Sequence, residues 1–232
     1  MKKLNFPKDF DWGTASSGPQ SEGSKDKPHE SLWDYWYNQD KDRFYQKVGP
    51  KITCDSYDRY KEDVKIMSEL GLKSFRTSIQ WTRLIKDLET GEPDPKAVEF
   101  YNNYIDEMIK NNVEPVMNLF HFDTPIELEK KYGGFKSKKV TELYIKFATT
   151  AFKLFGDRVK RWITFNEPVA HTKGAYLYDF IYPNEISMKS FAQANYNILL
   201  AHAGACKAYK DLQLNGEIGI VVDLLPPIPR SN

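Results

Sequence analysis

Short apolar runs suited to strands alternate strictly along this chain with longer stretches whose apolar residues recur at helical spacing, and that alternation constrains the fold most. The strand-like runs are Phe10 to Ala15, Ser74 to Ile79, Pro115 to Leu119, Arg161 to Phe165 and Ile218 to Val222. Between the first two, Tyr57, Tyr60, Val64, Met67 and Leu70 share one helical face, closed by Gly71. Val98, Tyr101, Ile105, Met108 and Ile109 make a second face, opened by Asp94-Pro95 and closed by Asn111-Asn112. A third runs through Val140, Leu143, Tyr144, Phe147, Ala151 and Leu154 between Ser137 and Gly156. The fourth holds Phe191, Ala194, Ile198, Leu199, Ala205 and Ala208, with Ser187 or Ser190 at its start. Strands joined by helices form a parallel sheet built from right-handed crossovers.

Such a sheet can be open and doubly wound, or it can close into a barrel. No Gly-x-Gly-x-x-Gly turn follows the first strand, so a dinucleotide site has no support. Each strand–helix unit takes roughly 45 residues, so eight of them would need far more chain than the 232 residues given. A barrel would therefore be about half present. Asp223 to Asn232, with Pro226, Pro227 and Pro229, reads as the loop after the fifth strand.

Thirty-three basic residues against thirty-two acidic ones leave a formal charge of +1, which offers no electrostatic case for nucleic acid or a membrane surface. Cys54 and Cys206 fit no metal or redox spacing and read as small buried or half-buried thiols in a reducing compartment. His29, His171 and His202 have no partner at ligand spacing, and His202 lies among alanines as a packing residue. No metal or cofactor is expected. The start, Met1-Lys2-Lys3-Leu4-Asn5, carries no apolar run behind its lysines, and no stretch approaches a membrane span. A soluble, cytoplasmic protein is the expectation.

In a barrel of this kind the reacting groups gather where strands end. Those positions hold Gln20 and Glu22 after the first strand, and Arg76 in the second, which ends near Gln80-Trp81. Asn118 to Asp123 ends the third, and Thr164-Phe165-Asn166-Glu167-Pro168 ends the fourth. Amides, aromatic rings and carboxyls converging on one face suit a ligand covered in hydroxyls. Glycoside cleavage needs a carboxylic acid that protonates the leaving oxygen, and Glu167 can serve if its surroundings raise its pKa. Asn166 beside it can hold the sugar's 2-hydroxyl. Pro168 suits a sharp turn into a loop.

Thr164-Phe165-Asn166-Glu167-Pro168 resembles the acid/base signature of glycoside hydrolase family 1. Phe6-Pro7-Lys8-Asp9-Phe10 through Gln20-Ser21-Glu22-Gly23 is similar to the opening motif of that family. Ser74 to Ile79 resembles its second-strand motif, and His121-Phe122-Asp123-Thr124-Pro125 its third. The resemblance implies the N-terminal half of a (β/α)8 TIM barrel, an α/β fold. Residues 1–232 would form one partial catalytic domain lacking its C-terminal half. It also implies a retaining β-glycosidase with Glu167 as acid/base and with Gln20, His121 and Asn166 on the glycone. Arg76 would lie beside a nucleophile that the chain does not contain. Phe122 stands where the family usually has Trp, so a ring remains without the indole donor. Gly18-Pro19-Gln20-Ser21-Glu22-Gly23, Tyr176-Leu177-Tyr178 and Tyr182-Pro183-Asn184 look most like the 6-phospho-β-glucosidase branch. The expected partners are a β-glucoside or phosphorylated disaccharide, the missing half in cis or trans, and a second copy through open sheet edges.

Each residue also has a plainer reading. Glu167 could be a strand-end acid in a salt bridge, Gln20 a turn residue, and His121 a satisfied structural histidine. Arg76 could simply neutralise barrel carboxylates, and Lys136 to Lys139 would be a solvated helix start. Three functional classes follow: an enzyme that needs its second half, a sugar-binding module, or a truncated product without activity.

Overall fold

A computed structural model of the chain describes residues 5–224. The readings of the N-terminal lysines and of Pro226, Pro227 and Pro229 lie outside those residues. The chain runs β1 (Gly13–Ala15), α1 (Gly18–Ser21), α2 (Leu32–Gln39), α3 (Ser56–Glu69), β2 (Ser74–Ser78), α4 (Trp81–Leu84), β3 (Ile85–Asp87) and β4 (Glu92–Pro93). It continues through α5 (Pro95–Lys110), β5 (Glu114–Asn118), α6 (Ile126–Tyr132), α7 (Lys138–Phe155), β6 (Arg161–Asn166), α8 (Pro168–Tyr176), α9 (Met188–Asp211) and β7 (Glu217–Val221). The five strands foreseen from sequence form one parallel sheet in the order β1-β2-β5-β6-β7. Chain order equals spatial order, as the first half of a (β/α)8 barrel requires.

Three of the four long helices start at a side-chain cap. Asp94 accepts the backbone N–H groups of Lys96 and Ala97, Ser137 that of Lys139, and Ser187 that of Ser190, each filling a donor left open at a helix start. The core lies between these helices and the sheet. Trp81 stacks on Phe147 at 5.4 Å and Tyr144 on Phe165 at 4.4 Å, and the Tyr144 hydroxyl donates to the Thr164 carbonyl.

Burial grades across the sheet. β2 and β6 are largely buried, whereas every residue of β1 is exposed and β7 is half covered at best. Among the described residues β1 and β7 each have a single strand partner, so both present unpaired backbone groups. Apolar side chains gather at those edges. Phe6, Phe10 and Trp12 pack on one another before β1 yet stay exposed, and Val222 and Leu224 follow β7 into solvent.

The short elements were not foreseen. α2 is opened by a reciprocal Ser31–Asp34 capping box, and β3 pairs antiparallel with β4. The Pro168 reading is corrected: a helix, not a loop, follows Glu167, because proline at the first helical position sacrifices no needed N–H. Among the described residues no helix is long and apolar enough to cross a membrane.

Candidate active site

The C-terminal ends of β1, β2, β5 and β6 sit side by side in the sheet, and four loops rise from them. The β6 loop carries the sharpest turn. The Asn166 N–H donates to the Phe120 carbonyl at 3.0 Å, on the β5 side, while the Glu167 N–H donates to Val221 at 2.9 Å, on the β7 side. Consecutive N–H groups of a strand point to opposite neighbours, so these two bonds carry the β6 pairing to its end, past a register shift between Ile163 and Asn166. Glu167 then takes φ 45° and ψ 58°, a left-handed conformation that costs a non-glycine residue on the order of 1 kcal/mol. The half-buried Glu167 side chain caps none of the α8 N–H groups that follow it.

Asn166 is buried and takes the Arg76 guanidinium on its Oδ1 at 2.8 Å, across from β2. Its amide oxygen is therefore committed, and its NH2 remains as a donor. The pair spans 90 residues of sequence.

The β5 loop holds His121 and Phe122. Asp123 is fully buried, and its two oxygens accept the His121 and Trp81 backbone N–H groups at 3.0 Å each. Burial pushes the Asp123 carboxyl up to about 6, against those two donors, which favour its anion. The short ring from Asp123 back to His121 sets Phe122 at φ 63°, where its ring lies 5.3 Å from that of His171 in a near-parallel stack. Burial, joined by the charge of Arg76, lowers His121 to about 4, so its imidazole is neutral at neutral pH.

Gln20 comes from the β1 loop, where its Oε1 accepts the Ser17 hydroxyl at 2.7 Å. Gln20, His121 and Phe122 border a cleft of about 620 Å3 whose walls also include Trp33, Phe44 and Phe180. Polar groups with one neutral imidazole, set among ring faces, match the hydroxyls and C–H faces of a sugar.

Glu22 does not join them. It turns away from the strand-end face into a fully buried ion pair with Arg83 at 2.7 Å, and it also accepts from Gln80 and Tyr101. Gln80 and Trp81, also at a strand end, are fully buried too. Cys54 is corrected as well: it is exposed and lines the cleft, while Cys206 is half-buried.

The family model described as Glycosyl hydrolase family 1 matches residues 2–232. The chain belongs to that family. Against the 6-phospho-beta-glucosidase GmuD of Bacillus subtilis it is 46% identical over 233 residues, covering 100% of this chain and 50% of that protein. Against a 6-phospho-beta-galactosidase of Clostridium acetobutylicum it is 40% identical, covering 98% of this chain and 47% of that protein. A beta-glucosidase from Thermotoga maritima, solved with castanospermine, superposes with a TM-score of 0.91 at 33% identity over 97% of this chain and 51% of its own. The chain thus spans about half the length of the relatives it matches, and the solved relatives are barrel enzymes of family 1.

Trp33, Phe44 and Phe180 were not singled out from sequence. The three rings come from separate segments, so only the folded loops reveal that they share a wall. Asn118 was read as a strand-end residue and Asp123 as part of a motif, without the contacts to the Phe120, His121 and Trp81 backbone that they make.

Proposed function

We propose that this chain supplies the acid/base half of a retaining family 1 β-glycosidase, with residues 1–232 as a partial catalytic domain completed by a second half-barrel. The observation that carries the reading is the turn at Asn166 and Glu167. Two consecutive peptides, anchored to β5 and β7, hold an amide and a strained carboxyl-bearing residue at the strand mouth. In the first step Glu167 donates its proton to the glycosidic oxygen as that oxygen leaves. A carboxylate from the second half, about 5–5.5 Å away, attacks the anomeric carbon from the other face. In the second step Glu167 takes a proton from water, whose oxygen displaces the enzyme carboxylate and restores the β configuration. Gln20, His121 and the free NH2 of Asn166 bind glycone hydroxyls. Arg76 fixes Asn166, and Phe122 supplies a ring beside the glycone.

The finer reading is a glycone phosphorylated at the 6-position, supported by likeness to 6-phospho enzymes of two bacteria. A phosphorylated disaccharide carries charge that holds it inside a cell, which supports a cytoplasmic enzyme. Proton NMR of the first-formed sugar, with the barrel completed, tests the mechanism: β-anomer first is expected, and α-anomer first overturns retention. Comparing kcat/KM for 6-phosphorylated and plain β-glucosides tests the finer reading, which fails if the plain substrate is preferred.

A further inference from the structure

His121 is gripped at two points. Asp123 accepts its backbone N–H, and the side-chain amide of Asn118 lies 3.3 Å from its ring Nδ1. An imidazole nitrogen can donate or accept, so the tautomer depends on which end of Asn118 faces it. The backbone of Phe120 decides. The Asn118 amide spans that residue, with one atom 2.9 Å from the Phe120 carbonyl oxygen and the other 3.4 Å from the Phe120 nitrogen. Only with the NH2 on the carbonyl side are both contacts attractive; the reverse sets oxygen against oxygen and N–H against N–H. The same NH2 is the group that meets His121 Nδ1. Asn118 has little freedom to swing away. It is 1% exposed, ends β5 paired with Ser78, and its carbonyl accepts the Ile79 N–H at 2.8 Å.

We propose that Asn118 is a positioning residue that fixes His121 as the tautomer protonated on Nε2, so that His121 presents an N–H donor to the cleft. Nδ1 is filled as an acceptor, and the single ring proton then sits on the other nitrogen. The neutral charge state fits the burial of His121 and the nearby Arg76 guanidinium. His121 borders the cleft together with Gln20. The complementary ligand atom is an oxygen with a free lone pair, such as a glycone hydroxyl oxygen, and a ligand group that can only donate is refused. The choice of ligand rests on the proposed function; the tautomer rests on geometry alone.

Long-range 15N–1H NMR of histidine-labelled protein reads the tautomer directly. The measurement is made on the chain and repeated on the completed barrel, with His121→Asn assigning the signal by its loss. At pH 7 His121 should show a protonated Nε2 and an unprotonated Nδ1. Asn118→Asp replaces the donor with an acceptor and should move the proton to Nδ1, lowering kcat/KM on the order of tenfold, as loss of one hydrogen bond would. Asn118→Leu should release the constraint and give a mixture. A wild-type protein already protonated on Nδ1, or mixed, overturns the proposal, as does an Asn118→Asp variant with unchanged nitrogens. If the tautomer holds while the completed barrel cleaves no β-glucoside, the functional reading fails and this one stands.

Discussion

Arg83 donates from all three of its nitrogens: Nε to Glu22, Nη1 to the Lys25 carbonyl and Nη2 to the Gly23 carbonyl. It therefore ties the segment after Gln20 to α4. Both charged side chains are fully buried, so removing either leaves the other charge without a partner in a site closed to water. Glu22→Ala or Arg83→Met should lower the unfolding free energy by about 3–5 kcal/mol, measured as a drop in denaturant midpoint at constant slope. A loss below about 1 kcal/mol would mean that the pair is not closed off. Sequence reading put Glu22 beside Gln20 because both follow the same strand. It could not see that a one-turn helix sends them to opposite sides, or that the partner lies 61 residues on. Glu129 on α6 makes a second prediction. Burial raises it to about 7, with Glu185 adding to the rise and Lys136 opposing it. A carboxyl with a raised folded pKa binds more protons folded than unfolded. Its contribution to stability is full below the unfolded pKa and is lost as pH rises toward 7. Glu129→Gln should therefore remove a decline in stability between about pH 5 and pH 7, seen by chemical denaturation at a series of pH values; an unchanged profile would contradict the assignment.

At the scale of elements, the strands and long helices were legible because period and caps agree. Asp94, Ser137 and Ser187 cap the helices they were expected to open. The one-turn helices were not, since four residues carry no period, and α4 owes its place to Asp123 accepting the Trp81 N–H. Edges are where element and assembly meet. β1 and β7 offer unpaired backbone, flanked by exposed Phe6, Phe10, Trp12, Val222 and Leu224. Exposing several hundred Å2 of apolar surface costs on the order of 10 kcal/mol, as large as the stability of a domain. The chain alone should therefore associate, or bind a dye specific for apolar surface, and a matching second half should relieve both. Size-exclusion chromatography with light scattering checks this: a 27.0 kDa monomer with a cooperative melt and no dye binding would mean the edges are satisfied without a partner.

For the whole molecule, sequence motifs reached the family and the half-barrel, and the sheet order and family match agree with both. What motifs could not supply is how residues far apart in sequence cooperate. Arg76 on Asn166, 90 residues apart, is a contact across the sheet, set by register rather than by local pattern. The account turns on Glu167 as the proposed proton donor to the leaving group. The decisive measurement is the leaving-group dependence of cleavage by Glu167→Gln in the completed barrel, using aryl β-glucosides, 6-phosphorylated if that form is preferred. An acid matters most to a poor leaving group, so the variant should lose on the order of 10²–10⁴-fold in kcat/KM with high-pKa phenols and far less with low-pKa ones. Equal losses across the series would contradict the acid role of Glu167.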